Sequence, residues 1–309
     1  MENFFAVARQ VAVLFVLIGC GAALRRLKLV GESAVDGMVN LLILVVTPCI
    51  IVDVFQRPFD PRMLGSLGVA FVIAAAGHAA VIAASYFAVR HRDDNIRRPL
   101  MLAAVFSNAG FMGIPLEQAL IGDEGVFYGI VYVAVFNLFM WSWGVWVMRG
   151  GDSPFFSVKM LVNPGTVGIA AGLPLFFFSL ELPAVAGGPV HHLANLNTPM
   201  AMIVIGYYLA GARLGRVAGA GGVYVASFIR LLAYPLAMIA AMYPFRAMLD
   251  RNMTLAIVTA SAAPAGAMIA MFAAKFKRDI DVSVAAVSGT TVLSMFTMPA
   301  VIAVAMEVL

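Results

Sequence analysis

The amino-acid sequence predicts an all-α membrane protein in which ten transmembrane helices form a 5+5 inverted repeat, with broken helices four and nine crossing each other. Composition is the first reason, since 62% of the 309 residues are hydrophobic and 12% are charged, whereas a soluble domain carries about 25% charged residues. The second reason is a succession of apolar runs of about 20 residues, the length that crosses a bilayer core. The third is that helix-breaking features of the first half recur about 151 positions later.

Ten apolar segments account for nearly the whole chain, and no stretch between them is long enough to form a soluble domain. We therefore predict one transmembrane helix for each segment. The segments span roughly residues 5–24, 36–56, 64–89, 99–120, 125–148, 164–180, 194–212, 220–243, 252–274 and 281–306.

The two halves share a pattern of proline and small residues. Thr47-Pro48 recurs as Thr198-Pro199, and the apolar run that leads into Ser107 recurs before Ser261. Repeated helix breakers of this kind are typical of transporters that are built from two copies of one unit.

Five segments fall in each half, and an odd number forces the second half to insert upside down relative to the first. We predict a first repeat over residues 1–155 and a second, inverted repeat over residues 156–309. A short linker that contains glycine and proline at residues 150–154 joins them.

Basic residues indicate the orientation of the chain. Fourteen Lys and Arg side chains lie on odd-numbered loops and five lie on the opposite face, and loops rich in Lys and Arg face the cytoplasm. We therefore expect both termini to face outward. The chain is expected to be an integral protein of the plasma membrane, in this case a bacterial inner membrane. The net charge of +4 is explained by these basic loops and is no sign of nucleic-acid binding. The fourteen are Arg25, Arg26, Lys28, Arg90, Arg92, Arg97, Arg98, Arg149, Lys159, Arg213, Arg216, Lys275, Lys277 and Arg278.

Helix breakers cluster inside the fourth and ninth segments. In a helix interior glycine costs about 1 kcal/mol and proline about 3 kcal/mol, so both segments are expected to be interrupted. Broken backbone is not tolerated against lipid, because freed amides and carbonyls find no water there. The alternative is a pair of packing kinks, which are common in membrane helices. The breakers are Asn108, Gly110, Gly113, Pro115, Pro264 and Gly266.

Inverted symmetry would bring the two breaks together near the membrane midplane. Half-helix N-termini carry partial positive charge and suit an anionic ligand. We therefore predict a substrate site at the crossing. The residues expected to form it are Asn108, Gly110, Pro115, Asn137, Ser261, Pro264 and Gly266.

Two asparagines are the strongest polar candidates in this site. Asn108 lies at the first break and its amide both donates and accepts hydrogen bonds; the alternative, compatible role is to cap the broken helix. Asn137 lies in the middle of the fifth segment, where the alternative is a hydrogen bond to a neighbouring helix. Ser107 and Ser261 are weaker candidates, because serine often bonds to its own helix.

Titratable residues inside apolar segments are candidates for ion coupling. Asp53 and Glu117 are carboxylates of the kind that mark ion or proton paths, unless each lies near enough to a segment end to reach water. His78 is central in the third segment and histidine titrates near neutral pH; the alternative is a packed, hydrogen-bonded histidine. Arg230 in the eighth segment either snorkels to the interface or pairs with a carboxylate.

The remaining reactive side chains carry no chemistry in this interpretation. His191 and His192 lie on a short outer loop and are expected to be solvated. Cys20 and Cys49 are small core residues without the spacing of a disulfide framework or a metal site. Metalloprotease, serine-hydrolase and phosphate-loop motifs are missing, so we expect no enzyme activity, no cofactor and no bound metal.

The motifs at the breaks resemble those of a known family. Residues 108–116 read Asn-Ala-Gly-Phe-Met-Gly-Ile-Pro-Leu and are similar to the Asn-x-x-x-Met-Gly-Ile-Pro-Leu stretch of the auxin efflux carriers, the PIN proteins and their bacterial relatives. Supporting matches cover nearly the whole chain. They are Pro264-Ala265-Gly266 with residues 272–276 in the ninth segment, Val39-Asn40 with Pro48 in the second, and Asn163-Pro164 with Thr166 in the sixth.

The resemblance implies a ten-helix carrier of elevator type. Helices one, two, six and seven would form a scaffold, and helices three to five and eight to ten a moving transport domain. Asn108, Pro115 and Pro264 would flank the carboxylate of the substrate, and Asn137 stands where plant members have a glutamine. Asp53 stands where plant members have a histidine. We also expect a homodimer.

The resemblance implies small carboxylates as substrates, of the auxin-like or dicarboxylate kind, because the family includes bacterial malate and malonate permeases. Proton coupling is compatible with this, whereas the ninth segment lacks the acidic ligands of sodium-coupled cousins. One alternative is a sodium- or proton-coupled symporter of the bile-acid type for a bulkier substrate. Another is a membrane sensor or binding module without turnover.

Overall fold

The computed structural model describes residues 2–151, 164–211 and 221–309, and within these ranges the chain is helical and has no β-strand. The α-helices are α1 (Glu2–Arg26), α2 (Glu32–Leu41), α3 (Thr47–Phe55), α4 (Pro61–Ala88), α5 (Asp94–Val105), α6 (Ile114–Leu120), α7 (Asp123–Phe139), α8 (Val145–Arg149), α9 (Pro164–Phe177), α10 (Ala184–Ala194), α11 (Asn197–Gly211), α12 (Gly221–Phe228), α13 (Tyr234–Met242), α14 (Arg251–Ala262), α15 (Met268–Lys275) and α16 (Ile280–Val308). Several of them are joined by π-helical turns at Leu42–Val46, Ala109–Gly113, Met140–Gly144 and Ile229–Ala233.

Five helical stretches in the described part of the chain are long and apolar enough to cross a membrane. They are Glu32–Phe55, Pro61–Ala88, Asp123–Arg149, Gly222–Phe245 and Ile280–Val308. Large apolar side chains stay exposed on their outer faces, such as Val72 at 64% and Phe296 at 72%. Exposed apolar area of this kind is solvated by lipid tails, so the chain is an integral membrane protein.

The fourth and ninth predicted segments are interrupted in the structure. α5 ends at Val105 and helix resumes at Ala109, while α14 ends at Ala262 and α15 begins at Met268. The first, sixth and seventh predicted segments are the helices α1, α9 and α11. The count of ten membrane crossings, the inverted order of the halves and the division at residue 155 stay predictions.

Helix α10 was not predicted, because its glycines, proline and two histidines are typical of a loop. His191 therefore lies on a helix, contrary to the sequence-based expectation of a loop. At the predicted linker, Gly150 and Gly151 end α8 with left-handed backbone angles (φ +100° and +86°). Other predicted features lie outside the described residues: linker residues 152–154, Asn163, Lys159, Arg213 and Arg216.

Several prolines lie directly after a π-helical turn in a helix that continues past them. A π-helical turn directly precedes Thr47-Pro48, Ile114-Pro115 and Tyr234-Pro235. Proline has no N–H to donate and its ring clashes with the carbonyl four residues earlier, and a wider turn relieves that conflict. Pro199 lies in the first turn of α11, where proline is tolerated. The repeated Thr-Pro pair therefore lies within a continuous helical stretch in the first half and at the start of a helix in the second.

Small residues let two pairs of helices pack at backbone distance. α1 packs along α11, where a Cβ added to Gly206 would overlap the Ile18 carbonyl oxygen. α3 packs along α9, where a Cβ added to Gly168 would lie 3.0 Å from Pro48 Cα. Packing, rather than hydrophobic burial, drives helix association in lipid, so these glycines fix the pairs.

Gly206→Ala is expected to destabilise the protein, because its methyl group would overlap the backbone of α1. Overpacking of this kind costs about 1–3 kcal/mol, which a lower Tm of the detergent-solubilised protein would report. Gly19→Ala in α1 is the matched control, since nothing lies within 4 Å of its added Cβ. Equal Tm values for the two variants would contradict the close packing of α1 on α11.

Candidate functional site

The two broken helices meet, and their breaks pair through the backbone. Ser107 and Ala265 form an antiparallel bridge. The Asn108 amide N–H donates to the Pro264 carbonyl oxygen at 2.6 Å, and the Gly266 N–H donates to the Phe106 carbonyl oxygen at 3.0 Å. Each break therefore satisfies polar groups that the other has freed.

Two further residues fit this pairing. A Cβ on Gly266 would lie 3.2 Å from the Ser107 carbonyl oxygen, so the close approach of the two backbone segments favours glycine. The Thr290 hydroxyl of α16 accepts from the Ala265 N–H at 3.1 Å and lies 2.8 Å from the Ala286 carbonyl oxygen, to which it donates. Thr290 thus ties the second break to a neighbouring helix.

Arg230 contacts the ends of both helices that lead into the breaks. Its guanidinium is fully buried and donates to the Val105 carbonyl oxygen at 2.6 Å and to the Ser261 carbonyl oxygen. Its Cζ lies 4.7 Å from the ring centroid of Tyr234. Arg230 therefore neither snorkels nor pairs with a carboxylate among the described residues, contrary to both sequence-based alternatives.

Asn108 holds the start of the helix after the first break with its backbone alone. Its carbonyl oxygen accepts from the Met112 and Gly113 amides at 2.9 and 3.2 Å. Its side chain makes no hydrogen bond to the described residues and does not cap the helix. The residue is 8% exposed, and open space lies beside Gly110. The Asn108 amide is thus available to a ligand at the break.

The hydroxyl groups beside the breaks differ in availability. The Ser261 hydroxyl donates to the Val258 carbonyl oxygen of its own helix at 2.8 Å. The Ser107 hydroxyl is buried and has no partner among the described residues. Pro115 lies on α6, after the π-helical turn, and is buried.

Asn137 is engaged within its own helix and not with a neighbour. Its side-chain amide donates to the Val133 carbonyl oxygen at 2.9 Å, so the alternative of a hydrogen bond to another helix is not present among the described residues. Helix α7 nevertheless passes the first break, because the Phe136 and Phe106 rings pack edge to face with centroids 5.4 Å apart.

His78 is a packed histidine. Its Nδ1 lies 2.8 Å from the Ala74 carbonyl oxygen, and its ring stacks on Phe139 with centroids 5.6 Å apart. The Tyr132 ring centroid lies 4.9 Å from that of the imidazole. The residue is fully buried, and Nε2 has no partner among the described residues.

Glu117 on α6 is fully buried, and neither carboxyl oxygen has a hydrogen-bond partner among the described residues. The carboxyl group packs against Gly129 of α7, where an added Cβ would overlap Oε2. Gly113 also faces the carboxyl group, because a Cβ added to Gly113 would lie 3.6 Å from Oε1 of Glu117. The space that Glu117 occupies therefore depends on a glycine in the next helix.

Asp53 lies away from the breaks, at the end of α3. Its Oδ2 is 3.0 Å from Nδ1 of His191 on α10, and their side chains are 24% and 61% exposed. Both residues line an open cavity of about 290 Å³ together with Gln56 and Glu181. His191 is thus partnered, which the interpretation of a solvated loop did not include.

Sequence reasoning missed the contacts of Arg230 and Thr290 with the breaks, and the Asp53–His191 pair. The contacts of Arg230 and Thr290 join positions that are distant in the chain and involve backbone atoms, which leave no trace in residue type. Among the described residues, no three His, Cys, Asp or Glu side chains group as metal ligands do.

Comparison with known proteins agrees with the motifs. The model of a family described as "Membrane transport protein" matches residues 6–155 and 152–302. A protein described as an "Uncharacterized transporter" from Methanothermobacter thermautotrophicus is 26% identical over 302 residues, which cover 96% of this chain and 97% of that protein. These matches confirm the resemblance to the auxin efflux carriers, and the chain belongs to the membrane transport protein family.

Proposed function

We propose that the protein is a secondary transporter that moves small organic anions, carboxylates above all, by elevator-type alternating access. The observation that carries the proposal is the pairing of the two breaks, with the Asn108 side chain left unbonded among the described residues beside it. Family membership supports transport in general, and the geometry of the breaks supports the class of substrate.

The proposed site binds a carboxylate at the helix ends. The Asn108 amide donates to one carboxylate oxygen, and the partial positive charge of the helical stretch that begins at Ala109 attracts the anion. The open space beside Gly110 gives room for the ligand. Pro115, Asn137, Ser261, Pro264 and Gly266 complete the proposed lining.

The proposed architecture is the ten-helix inverted repeat with crossing broken helices. The packing of α1 on α11 and of α3 on α9 joins segments one with seven and two with six, which supports a scaffold made of these four. The contacts of α7 with α4 and α14, and of α14 with α16, support a separate transport domain that carries the site. In this proposal the transport domain slides against the scaffold.

Of the three coupling candidates, we favour Glu117 as the residue that carries a proton. An isolated carboxylate in apolar surroundings is costly in its ionised form, and the carboxyl group of Glu117 has no described hydrogen-bond partner. Asp53 is partly exposed and paired with His191 at the surface, and His78 is enclosed by aromatic rings. Release and uptake of a proton at Glu117 then accompany the change of access.

A thermal-shift screen of the purified protein against mono- and dicarboxylates tests the substrate class. A ligand that binds the folded state at about 100 times its Kd stabilises it by about 2.7 kcal/mol. Counterflow in proteoliposomes then separates a carrier from a binding module, and sodium-free buffer separates it from a sodium symporter. Absence of a Tm shift with every carboxylate would overturn the assignment to this substrate class.

Asn108→Ala is expected to weaken carboxylate binding by about 10- to 100-fold, because a hydrogen bond to a charged group contributes about 1.5–3 kcal/mol. Its Tm without ligand stays near that of the wild type, since the side chain makes no described hydrogen bond. The exposed Asn195→Ala is the control. Wild-type uptake by Asn108→Ala proteoliposomes would rule out its role in binding.

Glu117→Gln is expected to remove the dependence of uptake on an imposed pH gradient while the protein stays folded, because glutamine matches the neutral carboxyl group in size. Asp53→Asn, the competing candidate at the surface, is expected to retain that dependence. Uptake would be measured at fixed membrane potential with and without the gradient. The opposite pattern would assign coupling to Asp53 instead.

A further inference from the structure

Arg230 is a buried charge whose bonds go to backbone. It lies in the π-helical turn Ile229–Ala233 between α12 and α13, and its side chain is fully buried. No ion pair joins it to a carboxylate among the described residues. Its Nε–H also has no partner there. A buried guanidinium of this kind must be balanced by something other than an acidic side chain.

The balance comes from two helix C-termini. Val105 is the last residue of α5 and Ser261 is one residue from the end of α14, and both carbonyl oxygens accept from Arg230. A helix C-terminus carries about −0.5 elementary charge. Two such ends offset the single positive charge of the guanidinium and leave the opposite ends of the broken helices unopposed.

Those opposite ends face the same breaks. Helix resumes at Ala109 after the first break and at Met268 after the second, and each helix N-terminus carries about +0.5 elementary charge. Without Arg230 the four helix ends nearly cancel one another. With Arg230 the assembly carries a net charge of about +1.

We infer that Arg230 determines the preference of the paired breaks for anions and holds both half-helix ends in place. It is a specificity-determining positioning residue that acts through the field at the breaks. The inference rests on the proposed function for the identity of the solute, but the field itself can be measured without any substrate.

The test uses Gly110→Cys, because an added side chain at that position meets open space, in a chain that also carries Cys20→Ser and Cys49→Ser. Anionic, neutral and cationic methanethiosulfonates are compared for their rates of reaction with the introduced thiol. The neutral reagent reports access alone, and the ratio of anionic to cationic rates reports the local potential. A purely structural role of Arg230 would not move that ratio once access is corrected.

Arg230→Gln is expected to lower the ratio of anionic to cationic rates by about tenfold or more, because loss of one unit charge weakens the attraction of the anionic reagent and the repulsion of the cationic one together. Arg230→Lys is expected to restore most of it. If Arg230→Gln does not fold, Ser107→Asp, which leaves Arg230 in place and adds a negative charge at the break, is expected to lower the ratio similarly. An unchanged ratio in the folded variants would overturn the inference, as would a Gly110→Cys protein whose thiol reacts with none of the three reagents.

The outcome separates this inference from the proposed function. In one outcome, the ratio of anionic to cationic rates follows the charge at position 230 but no carboxylate stabilises the protein. That outcome supports the role of Arg230 and rejects the substrate class. Carboxylate binding that is as strong in Arg230→Gln as in the wild type keeps the substrate class and rejects the role of Arg230.

Discussion

Two helices that stop in the buried interior of this protein leave amides and carbonyls that need hydrogen-bond partners, and in this chain the two stops bond to each other. The Asn108 N–H and the Pro264 carbonyl form one bond, and the Gly266 N–H and the Phe106 carbonyl form the other. Without the other break, the freed backbone groups of each would stay buried without a partner, which is costly. The need for this pairing explains why glycine is favoured at position 266 and why Thr290 reaches the Ala265 amide.

Pairing of the breaks leaves the two sides of each break in different surroundings. On the side where helices end, Arg230 donates hydrogen bonds to the carbonyl oxygens of Val105 and Ser261. On the side where helices resume, the Asn108 side chain has no described partner and space is open beside Gly110. The Val105 and Ser261 carbonyls are thus occupied, while the N–H groups of the Asn108 side chain remain free to donate, as binding of an anion requires.

The breaks were predictable from the sequence, because proline and glycine are costly inside helices and recur in both halves. A contact between the breaks was predicted on the assumption of inverted symmetry, which itself stays a prediction. The role of Arg230 was not predictable, since its acceptors are backbone carbonyls 125 and 31 positions away. The Asp53–His191 pair, 138 positions apart, depends on α10, whose glycines and proline resemble a loop. The alternative considered for Asn137, a hydrogen bond to a neighbouring helix, is not present among the described residues, because its side chain bonds to its own helix.

Arg230 and Glu117, the two buried ionisable groups near the breaks, differ in whether the protein stabilises their charged forms. Arg230 has carbonyl partners that stabilise its charge, whereas the carboxyl group of Glu117 has no described partner that would stabilise a charge. In a carrier of the proposed kind, the fixed charge of Arg230 is offset when a carboxylate is bound and is not offset when the site is empty. Movement of the empty site therefore carries more charge through a medium of low dielectric constant than movement of the loaded site. That difference favours exchange of substrates over return of an empty carrier, and uptake or release of a proton at Glu117 would change the size of the penalty on the empty step.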